Sequence, residues 1–136
     1  MSTGAKRTLS IALVVATAFL AGVFFVTSAD RPFTESEREF LEHIHRWGKK
    51  VVFVLNKVDI LSRPEERAQV IGFVKENATT LLGQEPEIFP VSARQALEAR
   101  AGEDAGLWEK SGMGMVSDFL LHTLDQEERV RLKLLN

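Results

Sequence analysis

Three stretches of mainly apolar residues predict strands, at residues 23–26, 51–55 and 88–91, and the first is the end of a longer apolar run that starts at residue 11. The middle run, Val-Val-Phe-Val-Leu, has no polar alternation, a pattern that is typical of a strand buried on both faces of a parallel sheet. Segments with a helical period separate the three runs. This order predicts an α/β fold, with about three parallel strands and flanking helices.

The segments between the apolar runs carry clear helix signals. Over residues 34–47, Thr34 and Glu37 match a capping box, and Gly48 follows the last apolar residue. The apolar face of this segment consists of Phe40, Leu41, Ile44 and Trp47. Phe40 and Trp47 are expected to lie in the core. A second helix is predicted to begin at Pro64 and to end at Gly83.

The C-terminal part gives weaker signals. Residues 94–110 are polar and contain two glycines, so they are predicted to form a poorly defined helix or a loop. Residues 115–124 have the period of an amphipathic helix, and residues 126–135 are predicted to start a further helix.

The N-terminal segment supports two interpretations. Residues 8–28 carry no charge, and most of them are apolar, over a length close to the ~20 residues that span a bilayer. Alone, this pattern predicts a transmembrane anchor or a signal sequence. Small residues favour instead an apolar helix that ends near residue 22, with a strand from residue 23 onward. Residues 1–22 are therefore assigned to an apolar N-terminal segment.

The middle strand is followed directly by Asn56-Lys57-Val58-Asp59. In parallel α/β sheets, ligands bind at the carboxyl ends of the strands. A carboxylate at Asp59 can accept hydrogen bonds from N1 and the 2-amino group of guanine, a donor pair that adenine lacks. The stem of Lys57 can cover the purine face, and Asn56 can brace the loop. The motif predicts a guanine site, although a polar turn after a strand is the simpler alternative.

A second motif follows the third apolar run, as Ser92-Ala93. These two residues alone carry little information. They come one helix and one strand after Asn56-Lys57-Val58-Asp59, which is the spacing of a βαβ unit, and the pair of motifs is therefore much more specific than either one.

Four stretches of the chain resemble the GTPase domain of dynamin-like proteins. They are residues 28–37 (SADRPFTESE), 47–59 (WGKKVVFVLNKVD), 91–97 (VSARQAL) and 128–134 (ERVRLKL). The chain resembles plastid Fuzzy onions-like, bacterial dynamin-like and mitofusin-type membrane-remodelling GTPases. The resemblance implies a partial P-loop-type GTPase domain. Residues 23–124 would form its C-terminal half. Residues 125–136 would start an exit helix toward a helical bundle.

The resemblance also implies ligands and partners. GTP or GDP would bind through Asn56, Lys57, Asp59, Ser92 and Ala93, with the Ala93 N–H donated to guanine O6. Family members hydrolyse GTP, dimerise through the GTPase face and fuse or shape membranes. The implied partners are therefore a guanine nucleotide, a membrane, and a second copy or an intact relative. The implied location is a membrane of the chloroplast, the thylakoid or the envelope, with a role in thylakoid organisation.

The sequence contains neither the phosphate-binding pattern Gly-x-x-x-x-Gly-Lys-Ser/Thr nor the switch pattern Asp-x-x-Gly. Phosphoryl transfer depends on positioning by those parts. These residues alone are therefore not expected to hydrolyse GTP, no catalytic residue is predicted, and Mg²⁺ is expected only through parts outside this sequence. A truncated gene model would explain the pattern.

The composition excludes two further classes of function. Nineteen acidic and seventeen basic residues leave no positive excess for nucleic-acid binding, and zero cysteines exclude thiolate metal sites. Two alternatives to a GTPase fragment remain. One is a membrane-anchored half-domain that acts as an interaction module without hydrolysis. The other is a GTPase of the ribosome-assembly kind, which the stretches at 28–37 and 128–134 disfavour.

Overall fold

A computed structural model describes residues 23–135, apart from the side chains at positions 130 and 131. Three strands and five helices follow one another along this part of the chain. In order they are β1 (Val23–Ser28), α1 (Glu35–Arg46), β2 (Val51–Asn56), a short 3₁₀ turn (Val58–Ile60), α2 (Pro64–Leu82), β3 (Glu87–Pro90), α3 (Ala93–Ala101), α4 (Ala105–Ser111) and α5 (Met113–Leu135).

The three strands form a parallel sheet in the order β1-β2-β3. Ser28 pairs with Asn56, and Leu55 pairs with Pro90, so the carboxyl ends of all three strands lie at one edge. Residues 51–55 of the central strand are all buried. The predicted α/β class with three parallel strands is confirmed.

The first face of the sheet is covered by α1 and α2. Phe53 is fully buried at its centre, with its ring centroid 5.4 Å from that of Phe25 and 5.7 Å from that of Phe33. The helices bury five residues over these strands, which are Leu41, Ile44, Val74, Ala78 and Leu82. Burial of this apolar surface supplies most of the driving force for the fold.

The second face of the sheet is covered by the start of α5. Phe119 packs with its ring centroid 5.7 Å from that of Phe24 and 5.3 Å from that of Phe89. The buried residues here are Val52, Val54, Phe89 and Val91. Val26 alternates onto the same face and remains 59% exposed, so this face is covered less completely than the first.

The ends of α1 and α2 follow the sequence signals. Thr34 and Glu37 form the predicted capping box, in which the Thr34 N–H donates to Glu37 Oε2 at 2.6 Å and the Glu37 N–H donates to Thr34 Oγ1 at 3.4 Å. Helix α2 begins at Pro64 and ends where Gly83 adopts a φ of 74°.

Three expectations about helices were wrong. Residues 94–110 form two helices, α3 and α4, and Ser92 and Asp104 cap them with their side chains. Residues 113–135 form one continuous helix rather than two. Phe40 and Trp47 are 48% and 52% exposed, because α1 turns only Leu41 and Ile44 fully toward the sheet. Short capped helices and helix continuity leave little trace in hydrophobic periodicity.

The predicted apolar helix over residues 1–22 lies outside the described residues. Within them, residues 23–28 form strand β1, which confirms the interpretation that a strand starts at residue 23 and contradicts a transmembrane helix that extends to residue 28. No helix between residues 23 and 135 is both long and apolar enough to cross a bilayer. The assignment to a P-loop-type GTPase domain stays a prediction.

Candidate functional site

Two loops meet at the carboxyl edge of the sheet, one after β2 and one after β3. Asn56 is the last residue of β2, and Lys57 and Asp59 follow it in the first loop and its 3₁₀ turn. Ser92 lies in the second loop, and Ala93 is the first residue of α3. The Val58 N–H donates to the Val91 carbonyl at 3.1 Å and joins the loops through the backbone. All five residues of the predicted site therefore lie in one region.

Asn56 connects the two loops with its side chain. Its Oδ1 accepts from the Lys57 N–H at 2.8 Å and from the Ala93 N–H at 3.0 Å. The side-chain oxygen is thus used within the protein, and the amide NH₂ is the group that Asn56 can offer to a ligand. The Ala93 N–H, predicted to donate to a base, donates to Asn56 in this structure.

Lys57 stands at the turn between β2 and the 3₁₀ segment, with a φ of 65°. This left-handed conformation is uncommon for a residue with a side chain and indicates a local constraint on the loop. The Lys57 ammonium lies 3.6 Å from Asp30 Oδ2, in the loop after β1. The Ser28 hydroxyl donates to Asp30 Oδ1, and this hydrogen bond is the main cause that lowers the pKa of Asp30.

The Asp59 side chain is 10% exposed and is held by hydrogen bonds on both carboxylate oxygens. Its Oδ1 accepts from the Ser92 hydroxyl at 2.7 Å. Its Oδ2 accepts from two nitrogens of Arg94, Nε at 3.2 Å and Nη2 at 2.9 Å. Hydrogen bonds from Ser92 and then from Arg94 lower the pKa of Asp59 below its usual value of 3.8, so the carboxylate is ionised at neutral pH.

Ser92 is buried and has two functions at the junction of β3 and α3. Its hydroxyl donates to Asp59 and accepts from the Gln95 N–H at 3.2 Å, which caps α3. Its own N–H donates to the Ser111 carbonyl at 2.8 Å. Ser92 thereby fixes the Asp59 carboxylate relative to α3 and α4.

The sequence predicted five residues that the structure brings together, but it missed the contact of Arg94 with Asp59. A lone arginine after Ser92-Ala93 gave no signal, because its contact with Asp59 joins positions 35 residues apart. Asp30 was not among the predicted site residues, although its ion pair with Lys57 brings the loop after β1 to the site. Between residues 23 and 135 no group of three acidic or histidine side chains is placed to hold a metal ion.

The arrangement offers an ionised carboxylate, a cation on a flexible stem, an amide NH₂ and backbone N–H groups within one corner of the sheet.

No family model matches the chain. It is 43% identical, over an alignment of 129 residues, to the "Probable transmembrane GTPase FZO-like, chloroplastic" of Arabidopsis thaliana, with 81% of this chain aligned. This similarity supports a relationship to the dynamin-like GTPases.

A bacterial protein is also similar. The "Uncharacterized protein in xynA 3'region" of Caldicellulosiruptor sp. (strain Rt8B.4) is 32% identical over 115 residues, which cover 84% of this chain. The aligned parts make up 14% of the plant protein and 28% of the bacterial one, so the chain spans a minor part of each relative.

Proposed function

We propose that residues 23–135 carry the guanine-recognising part of a dynamin-like GTPase. The observation that carries this proposal is the Asp59 carboxylate, which is ionised and held by Ser92 at the carboxyl edge of the sheet. The similarity to a GTPase over 81% of the chain supports it.

The chemistry of Asp59 favours guanine over adenine. Guanine presents N1–H and a 2-amino group side by side, which two oxygens of one carboxylate can accept together. Adenine has a bare N1 acceptor there, so it would face the carboxylate without a donor. A nearly buried charge left without its partners is costly, and such a site discriminates by roughly 10⁴ or more.

The neighbouring side chains suit the other parts of a purine nucleotide. The Lys57 side chain is 56% exposed, so its methylene stem is available to cover the flat face of the base. Its ion pair with Asp30 limits where that stem lies. The Ala93 N–H, now donated to Asn56, is the donor proposed for guanine O6, and it changes partner when the base arrives.

The remaining family properties are proposals for the protein as a whole. They are GTP hydrolysis coupled to membrane fusion or organisation, self-association through the GTPase face, and a chloroplast membrane location. The words "chloroplastic" and "transmembrane" in the name of the plant relative support the location. Mg²⁺ would accompany the nucleotide, but the described residues hold no ligand cluster that fits it, so none is assigned to the ion.

A second candidate is an interaction module without nucleotide hydrolysis. Strand β1 is at the edge of the described sheet, and Val26 on it is 59% exposed. Such an edge can pair with a strand of another chain. This candidate requires no ligand at Asp59, so nucleotide binding separates the two.

The test is binding of a fluorescent GDP analogue to the full chain, competed with unlabelled GDP and with ADP. We expect competition by GDP alone. Asp59→Asn should lose guanine affinity at least about a hundredfold, because the amide presents a donor where guanine also has one. The same variant should gain affinity for xanthosine diphosphate, whose 2-carbonyl accepts from that amide.

Asp118→Asn provides the matched control. It removes the same charge from an exposed position on α5, away from the site, and should bind GDP as the wild type does. Equal competition by GDP and ADP, or no binding by a folded wild type, would reject guanine recognition and leave the interaction module.

A further inference from the structure

Arg94 occupies the Asp59 carboxylate, which a guanine base would need as its hydrogen-bond acceptor. The guanidinium presents Nε and Nη2 to Asp59 Oδ2, at 3.2 and 2.9 Å. Guanine presents N1–H and its 2-amino group in a similar planar pair. Both are two N–H donors on one guanidine-like carbon, matched to a carboxylate.

The acceptor capacity of Asp59 is nearly used up. An ionised carboxylate has about four lone-pair positions, two on each oxygen. Both positions on Oδ2 accept from Arg94, and one on Oδ1 accepts from the Ser92 hydroxyl. One position remains, whereas guanine needs two. A donor must therefore leave before the base can bind fully.

Ser92 is held where it is, and Arg94 is not. Ser92 is fully buried, and its hydroxyl also accepts from the Gln95 N–H. The Arg94 side chain is 65% exposed, and it has a second carboxylate partner in Glu98 at 2.9 Å, one turn further along α3. Release of Arg94 leaves its charge in water and beside Glu98, which costs little.

We propose that Arg94 is a built-in competitor of the base: its hydrogen bonds to Asp59 must break, and its side chain must swing toward Glu98, for guanine to bind. This inference rests on the proposed guanine site and adds the residue that sets its affinity. The contact satisfies the Asp59 carboxylate at the expense of its affinity for the ligand.

Guanosine is the appropriate probe, since it carries the base without phosphates whose charge Arg94 would attract. We expect Arg94→Ala to bind guanosine about two- to fivefold more tightly, a range set by what exposed ion pairs contribute. Arg94→Lys keeps the charge but cannot present two parallel donors, and should fall between wild type and alanine. Arg100→Ala removes the same charge from α3 at a position stacked on Trp108, and should leave the affinity unchanged.

A second measurement makes the outcome independent of the ligand. The pKa of Asp59, followed by NMR of its carboxyl carbon, should rise in Arg94→Ala and stay constant in Arg100→Ala. An unchanged Asp59 pKa in Arg94→Ala would overturn the inference even if guanine binds. Weaker guanosine binding by Arg94→Ala would also overturn it, since Arg94 would then be a ligand of the base. If no variant binds guanosine, the guanine site itself fails, and the inference with it.

Discussion

The two faces of the sheet are built differently. On the first face, α1 and α2 enclose Phe53 and its neighbours, and the central side chains are fully buried. On the second face, the first turns of α5 cover a smaller cluster around Phe89, and Val26 stays exposed. The first face is a closed core, whereas the second depends on how one long helix is attached.

The candidate site lies where these two parts join. Asn56 and Asp59 extend from the central strand, while Ser92 and Arg94 belong to the start of α3 on the side of the C-terminal helices. The segment after the central strand carries the carboxylate, and the start of α3 supplies the groups that fix it. Substitutions in the second face are thus expected to leave guanine binding unchanged only if α3 keeps its position.

The largest difference is expected between the aromatic residues at the centre of each face. Phe53→Ala should lower the free energy of unfolding by about 3–5 kcal/mol, because a fully buried ring leaves a cavity. Phe119→Ala, on the half-exposed second face, should cost about 2 kcal/mol. Urea denaturation followed by tryptophan fluorescence measures both. Equal losses would mean that the second face contributes as much as the first.

The attachment of α5 depends on Gly112. This residue has a φ of 75°, and a Cβ there would lie 2.3 Å from the Pro90 carbonyl oxygen. Gly112→Ala should therefore cost at least about 3 kcal/mol, from the left-handed backbone together with the clash.

Gly83→Ala is the matched control for Gly112→Ala. Its φ is 74°, but a Cβ there meets nothing within 4 Å. It should cost only the conformational penalty, about 1–2 kcal/mol. Similar denaturation midpoints for the two variants would show that the close approach to β3 does not matter, and that α5 is held by its apolar contacts alone.

Removing a helix cap should lower the free energy of unfolding by a smaller amount, and by more for α1 than for α4. Thr34→Ala removes the capping box of α1, whose Leu41 and Ile44 close the first face, and should cost about 1 kcal/mol. Asp104 caps α4 through a hydrogen bond from the Leu107 N–H at 3.0 Å, but α4 buries only Ser111. Asp104→Ala should cost about half as much and mainly speed hydrogen exchange in α4. A larger global loss for Asp104→Ala would reverse this ranking.

The smallest effect concerns the link between the two parts, the Asp59 carboxylate. Its pKa is lowered in the folded chain, so it adds stability above the unfolded pKa of 3.8, and this stability is lost as the pH falls through the lower folded pKa. The free energy of unfolding of wild type relative to Asp59→Asn should therefore shrink below about pH 4. Arg94→Ala should make the loss of stability at low pH smaller, because the hydrogen bonds from Arg94 contribute to the lowered pKa of Asp59. A difference that stays constant from pH 6 to about pH 2.5 would show that the hydrogen bonds from Ser92 and Arg94 do not lower the pKa of Asp59.

Local signals account for what could be predicted. The unbroken apolar run at 51–55 identified the central strand, because burial on both faces excludes polar alternation. The Thr34 cap and the glycine after α2 marked helix ends, because those residues satisfy the backbone groups there. Asn56, Asp59 and Ser92 were found as motifs, since parallel strands bring their carboxyl ends to one edge.

The sequence by itself determined the fold class, the order of the strands and helices up to β3, and the side chains that gather at the sheet edge. Only the tertiary structure decided that α5 is one helix, that Phe40 and Trp47 stay half-exposed, and that Arg94 holds Asp59. The reason is physical. Periodicity and capping depend on neighbours within one turn, whereas an exposed arginine finds its partner across 35 positions only once two strands are side by side.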